Sequence, residues 1–266
     1  MGGLGRVPWD PSGRDTGGAG GGAIRLTVSG ALTDNGVISA KFLLPDAESG
    51  YYRGTRFDWS GQISSLKTKN HEYFGQWFER YDPKLHDAIM GPVEEFRTGS
   101  SGLGYDEAAV GGEFVRIGVG VLKKPEEKAF QSFRTYEILD AGKWSVKQGK
   151  DWIQFTHDLK GPNGYAYRYT KKIRLVKGQP QMVIEHALKN TGTKRIETSQ
   201  YNHNFFVMDS QPTGPEASVK FPFELKAVRE FQGEGNNITA RKLTVVPYTP
   251  PDLRVISLQA SVSIAK

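Results

Sequence analysis

The chain contains no cysteine, which excludes disulfides, thiolate catalysis and cysteine-bound zinc and leaves the redox compartment open. No apolar run approaches the roughly 18 residues of a membrane-spanning helix. The N-terminus also lacks the apolar core of a signal peptide. The expectation from these absences is a soluble protein, cytoplasmic by default, with no membrane partner. Helical periodicity is scarce, the best stretch being a short piece within Pro125 to Arg134. There is no Gly-x-Ser-x-Gly, P-loop or His-Glu-x-x-His motif. No two histidines have metal-site spacing with a carboxylate beside them, so neither a metal nor a cofactor is expected. Gly118-Val119-Gly120 lacks the third glycine and following helix of a dinucleotide fingerprint and reads as a strand with close backbone packing.

The 266 residues can bury a real core, and 37% hydrophobic with 24% charged is the balance of an ordinary globular chain. A net charge of +6 suits nucleic acid, phosphorylated metabolites or acidic glycans, or simply a solvated surface. The basic residues are scattered, in runs no longer than pairs such as Lys171-Lys172. No helix-turn-helix, zinc-finger or RNP-type pattern accompanies them, so nucleic acid is not expected as a partner. Residues 1–22 are glycine-rich with interspersed Pro, Arg and Asp, and too little of this stretch is apolar to offset its ordering entropy. They read as a disordered leader, and residues 23–266 as a single domain whose tail becomes irregular from about residue 232.

That domain reads as strands. Ile24 to Val28 and Val37 to Leu44 flank Thr33-Asp34-Asn35-Gly36, and Asn-Gly is a hairpin signal. Further β-rich runs are Glu113 to Leu122, Trp144 to Val146, Trp152 to His157, Tyr165 to Val176, Gln181 to Lys189 and Ile196 to Met208. Tyr165 to Tyr169 and Met182 to His186 alternate between faces, as sheet periodicity demands. Many short strands with turn punctuation predict an all-β fold, a large antiparallel β-sandwich.

Chemistry concentrates in three places. In Tyr201-Asn202-His203-Asn204-Phe205-Phe206, His203 shares a strand face with Tyr201 and Phe205, and Asn202, Asn204 and Phe206 take the other. A histidine there suits proton transfer, although a strand histidine among aromatics is also a common partly buried structural residue. Gly50 to Gly61 packs Arg53, Arg56 and Asp58 among aromatics, which makes a sugar-recognition strip of guanidinium forks and stacking faces. The alternative is a strand and turn with Arg56 paired to Asp58 and Trp59 in the core. Leu85-His86-Asp87 offers a further histidine, either a ligand contact or a loop residue bonded to Asp87. His186 reads as structural, and His157 as the end of a strand.

Tyr167 to Leu175, Met182 to Gly192 and Tyr201 to Phe206 together resemble a stretch of the aldose 1-epimerase (galactose mutarotase) family. The resemblance runs loosely from about Asn35 to Phe223 and is tightest between residues 165 and 209. It implies a mutarotase-like supersandwich acting on a small-molecule sugar or sugar phosphate by acid/base ring opening. His203 would be the acid that protonates the ring oxygen. Arg56, with Arg53 as fallback, would be the early-strand substrate arginine, and Asp58 and Asn202 would join the substrate contacts. His86 would match the family's second histidine, with Asp87-Ala88 in place of the usual glycines. The family's base is a glutamate on a strand far downstream. Asp209, Glu216, Glu224, Glu230, Glu234 and Asp252 do not match its context, so the expectation is a domain shortened at its C-terminus. The alternative reading is a sugar-binding relic without catalysis. A polysaccharide-lyase-type domain is a weaker one.

Overall fold

A computed structural model describes residues 30–210. Leader, tail and the strand expected over Ile24 to Val28 lie outside the described residues. Those described are nearly all β, with antiparallel sheets, no closed barrel and no α-helix. β1 (Gly30–Asp34), β2 (Ile38–Leu43), β3 (Gln62–Thr68) and β4 (His71–Glu72) form one sheet in that order. The Asn-Gly signal holds: Asn35 Oδ1 accepts from the Val37 and Ile38 amides, and Gly36 takes a positive φ of 85°.

β5 (Gly91–Arg97) follows a long irregular connection. Next come β6 (Glu113–Arg116), β7 (Gly120–Lys123) and β8 (Ile138–Asp140), a three-stranded sheet. β9 (Lys143–Gln148), β10 (Trp152–Lys160), β11 (Ala166–Leu175) and β12 (Met182–Asn190) make a regular meander. β13 (Ser199–Phe205) returns to pair antiparallel with β5.

The first sheet packs face to face on the meander. Ala31, Ile38, Phe42 and Ile63 meet Ile153, Phe155, Ile173 and Leu175 in one buried cluster. Each side contributes alternate residues of its strands, the pattern of a sandwich core. A second cluster joins Tyr52, Phe57 and Trp59 to Val93, Phe114 and Leu122. A third links Phe96 to Val115, Leu159, Tyr167 and Tyr169, so β5 has apolar neighbours on both faces.

Three local expectations are corrected. Pro125 to Arg134 forms no helix; it is turns and irregular backbone that place Phe130 against Tyr105, Phe114 and Tyr136. Pro125 and the scarcity of apolar side chains at helical spacing left nothing to hold a helix together. His157 lies within β10, fully buried between Trp144 and Tyr167, and does not end a strand. Its hydrogen bonds to Tyr167 Oη and the Ala141 carbonyl satisfy both ring nitrogens, and burial lowers its pKa to about 4.

Glu113 to Leu122 is a hairpin, broken where Gly118 adopts φ 78°. The close backbone packing expected there is present, but in a turn: the Gly118 amide donates to Tyr167 Oη, and its carbonyl accepts from the Trp59 amide. A Cβ at Gly118 would sit 2.5 Å from Asp58 Oδ1. Gly118→Ala is therefore expected to cost about 1–3 kcal/mol, from the left-handed backbone and the clash together. Urea denaturation measures it, and a cost below about 0.5 kcal/mol would mean that the turn relaxes freely.

Candidate functional site

β5 and β13 carry the site between them. Their register sets Tyr201 opposite Glu95, His203 opposite Val93 and Asn202 opposite Glu94. Opposed residues of an antiparallel pair share a face. Tyr201, His203, Phe205 and Glu95 therefore lie on one side, and Asn202 and Glu94 on the other, as the alternation of the sequence predicts. Phe206 stacks on Phe74, with ring centroids 5.4 Å apart.

On the His203 side, Glu95 is the hub. Its side chain is completely buried, and three guanidinium groups converge on it. Arg97 binds both carboxylate oxygens, at 2.9 and 3.0 Å. Arg116 reaches Oε1 at 3.1 Å and Arg56 reaches Oε2 at 3.2 Å. Tyr201 Oη donates to Oε2 as well and accepts from Arg56 at 3.2 Å. Burial alone would raise the Glu95 pKa, but the Arg97 hydrogen bonds and the Arg116 charge outweigh it and hold the carboxyl at about 2. Glu95 is thus a fixed anion whose work is to hold Arg56 and Tyr201 in place.

Arg56 is delivered by the connection between β2 and β3. The Arg116 guanidinium donates to the Arg56 carbonyl at 2.7 Å, and the Asp58 amide donates to the Glu94 carbonyl at 2.8 Å. The Arg56 guanidinium lies between two rings, 4.4 Å from the Phe57 centroid and 4.8 Å from that of Phe133. Phe57 meets His203 edge-on at 5.8 Å, and Phe205 stacks on His203 at 4.0 Å. On the other flank His86 lies 4.7 Å from Phe133 and 3.4 Å from the Asp87 carboxylate. Arg56, His203 and His86, far apart in sequence, are thus joined by a run of ring contacts through Phe57 and Phe133.

His203 Nδ1 is enclosed and makes no hydrogen bond. Burial and the nearby Arg56 charge lower its pKa, against smaller opposing effects of Glu95 and Asp87, so the imidazole is mostly neutral at pH 7. A neutral imidazole here can hydrogen-bond to a hydroxyl, and its minority imidazolium is a stronger acid than an ordinary histidine.

The other predicted residues go elsewhere. Arg53 donates to the Glu48 carbonyl at 2.7 Å, and its Nε is enclosed without a partner. Asp58 is buried; it accepts from Ser60 and from Tyr169 Oη at 3.0 Å and does not pair with Arg56. Trp59 is in the core. Asn202, on the far side of the sheet, donates to Glu94 Oε1 at 3.2 Å. There Lys171 pairs with Glu94, and His186 lies 3.4 Å from the same carboxylate.

Glu95, Arg97 and Tyr201 were not singled out from the sequence as site residues. The available signal was Val93-Glu94-Glu95-Phe96: two acids inside an apolar strand require cationic partners on both faces. Phe133 and Trp77 left no comparable mark, because a loop aromatic shows its neighbours only once the chain is folded. Among the described residues, no group of three or more His, Asp or Glu side chains could hold a metal, and no helix is long and apolar enough to cross a membrane. Compared with protein-family models, curated proteins and solved structures, the chain matches none.

Proposed function

We propose that the chain is a carbohydrate-handling protein of aldose 1-epimerase type, which binds an aldose or sugar phosphate against Arg56 and His203 and interconverts its α and β anomers. The observation that carries this reading is the convergence of Arg56, Tyr201, His203 and His86 beside stacking aromatic faces. Hydrogen-bonding forks fix hydroxyls or phosphate, and flat rings meet the C–H face of a sugar. In the reaction, His203 donates a proton to the ring oxygen while a base removes the anomeric hydroxyl proton. The ring opens, the C1–C2 bond turns, and closure from the opposite face gives the other anomer.

One observation favours a second reading, sugar binding without catalysis. Glu95 is committed to three arginines and a tyrosine and cannot serve as the base. Asp209, also considered from the sequence, is engaged by His71 and the Glu72 amide. The other acids considered lie outside the described residues.

Polarimetric or NMR anomerisation of glucose, galactose and glucose 6-phosphate separates the two readings. The enzyme reading expects a rate above buffer, and His203→Ala is expected to lower it on the order of a hundredfold. An unchanged rate in that variant would remove His203 from the chemistry. A buffer-like rate in the wild type, with sugar binding retained in a titration, selects the second reading.

A further inference from the structure

We propose that this face is built for a chain of sugar units, not a single ring; the inference rests on the carbohydrate reading above. The surface does not stop at His203 and Arg56. Beyond His203, Phe205 stacks in turn on Trp77, with centroids 5.1 Å apart and planes within 6°. Beyond Arg56 lies Phe133. Both terminal rings are open to solvent, Trp77 at 43% and Phe133 at 63%. The polar centre is therefore flanked on both sides by exposed aromatic faces.

Packing does not account for this exposure. Trp77 is anchored by its indole N–H to the Ile89 carbonyl at 3.0 Å, which fixes the plane of the ring; Phe205 covers one face, and 43% of the residue stays exposed. The ring contacts of Phe133 are with Arg56 and His86, both polar, and 63% of the residue is exposed. A wholly apolar partner covering the face would strand the His203 ring and the Arg56 N–H groups that Glu95 and Tyr201 do not already engage, at a desolvation cost. An oligosaccharide answers both requirements, since each pyranose has an apolar C–H face and a rim of hydroxyls. One ring would lie at the Arg56–His203 centre, with neighbours against Trp77 and Phe133.

The test begins with an array of neutral and uronate-containing oligosaccharides of one to six units, followed by calorimetric titration of the length series of the best binder. Affinity is expected to rise about tenfold or more from one unit to three. Trp77→Ala and Phe133→Ala should each remove about five- to tenfold of that gain, the loss of one stacked ring. Phe133, exposed on a loop, can be truncated without opening the core, and circular dichroism checks the fold of the Trp77 variant. Equal affinity for one and three units, or a length dependence untouched by both variants, would overturn the proposal while leaving monosaccharide handling intact. No binding anywhere on the array or to glucose 6-phosphate would overturn both, and capture of a protein partner by this face in place of any sugar would do the same.

Discussion

Replacing Lys171 with methionine is expected to destabilise the fold by about 3–5 kcal/mol at pH 8, the cost of breaking a buried ion pair from one side. Lys171 is completely buried on β11. Its ammonium donates to the Ser60 carbonyl at 3.0 Å and to the Glu94 carboxylate, with Asp58 Oδ2 3.9 Å away. Methionine fills much of the same volume, so cavity formation is a minor part of the loss. The main part is two carboxylates left facing each other in the core.

The pH dependence identifies the cause. Burial raises both carboxyls even with Lys171 present, Asp58 to about 6. An acid whose folded pKa lies above its unfolded value contributes stability that is full below the unfolded pKa and is lost as pH rises through the folded one. Without Lys171 both pKa values move further up, so the variant should recover much of its deficit between pH 8 and pH 5. Urea denaturation across that range is the measurement. A deficit that stays flat with pH would assign the loss to packing, and a deficit under 1 kcal/mol at pH 8 would show that the cluster is solvated. Adding Glu94→Gln to Lys171→Met should return part of the stability, because it removes one of the stranded charges.

The same pair of strands shows how much of the molecule was legible beforehand. Alternation from Tyr201 to Phe206 was enough to sort the side chains of β13 onto their two faces, because a period of two is a local property of extended backbone. The antiparallel β architecture and the Asn-Gly hairpin were legible for the same reason. The partners were not. Arg56 sits two positions from Asp58, yet its counter-charge is Glu95, thirty-nine positions away. Asp58 instead joins Tyr169, one hundred and eleven positions away. Charge pairing in a sandwich is decided by which strands return to lie side by side, and β13 pairs with β5 across 106 positions, as between Tyr201 and Glu95. His157 was misplaced because Asp158 beside it suggested an exposed strand end. In fact Asp158 pairs with Arg168 on the outer face while His157 turns inward, one step of the pleat apart.

Glu95→Gln is the variant on which fold and function meet. It keeps the shape of the side chain and removes the negative charge that three guanidinium groups share. Arg116, only 2% exposed, would be left with carbonyl partners alone, and stability at pH 7 should fall by about 3–5 kcal/mol. The sign with pH is opposite to that of the Lys171 cluster. The converging guanidinium groups hold the folded Glu95 carboxyl at about 2, below the ordinary value of 4.5, so its contribution is full above the unfolded value and is lost as pH falls toward 2. That contribution is worth about 3 kcal/mol. Wild-type stability should therefore drop between pH 4.5 and pH 2, and the glutamine variant should lack that part of the decline. The functional consequence follows from geometry. Arg56 and Tyr201 are held by the Glu95 carboxylate, so in the variant both lose the fixed positions from which they would meet a ligand. Sugar affinity is expected to fall more than tenfold in protein that still gives a wild-type circular dichroism spectrum. Unchanged affinity alongside the stability loss would make Glu95 a structural anchor only and would move the binding centre away from Arg56.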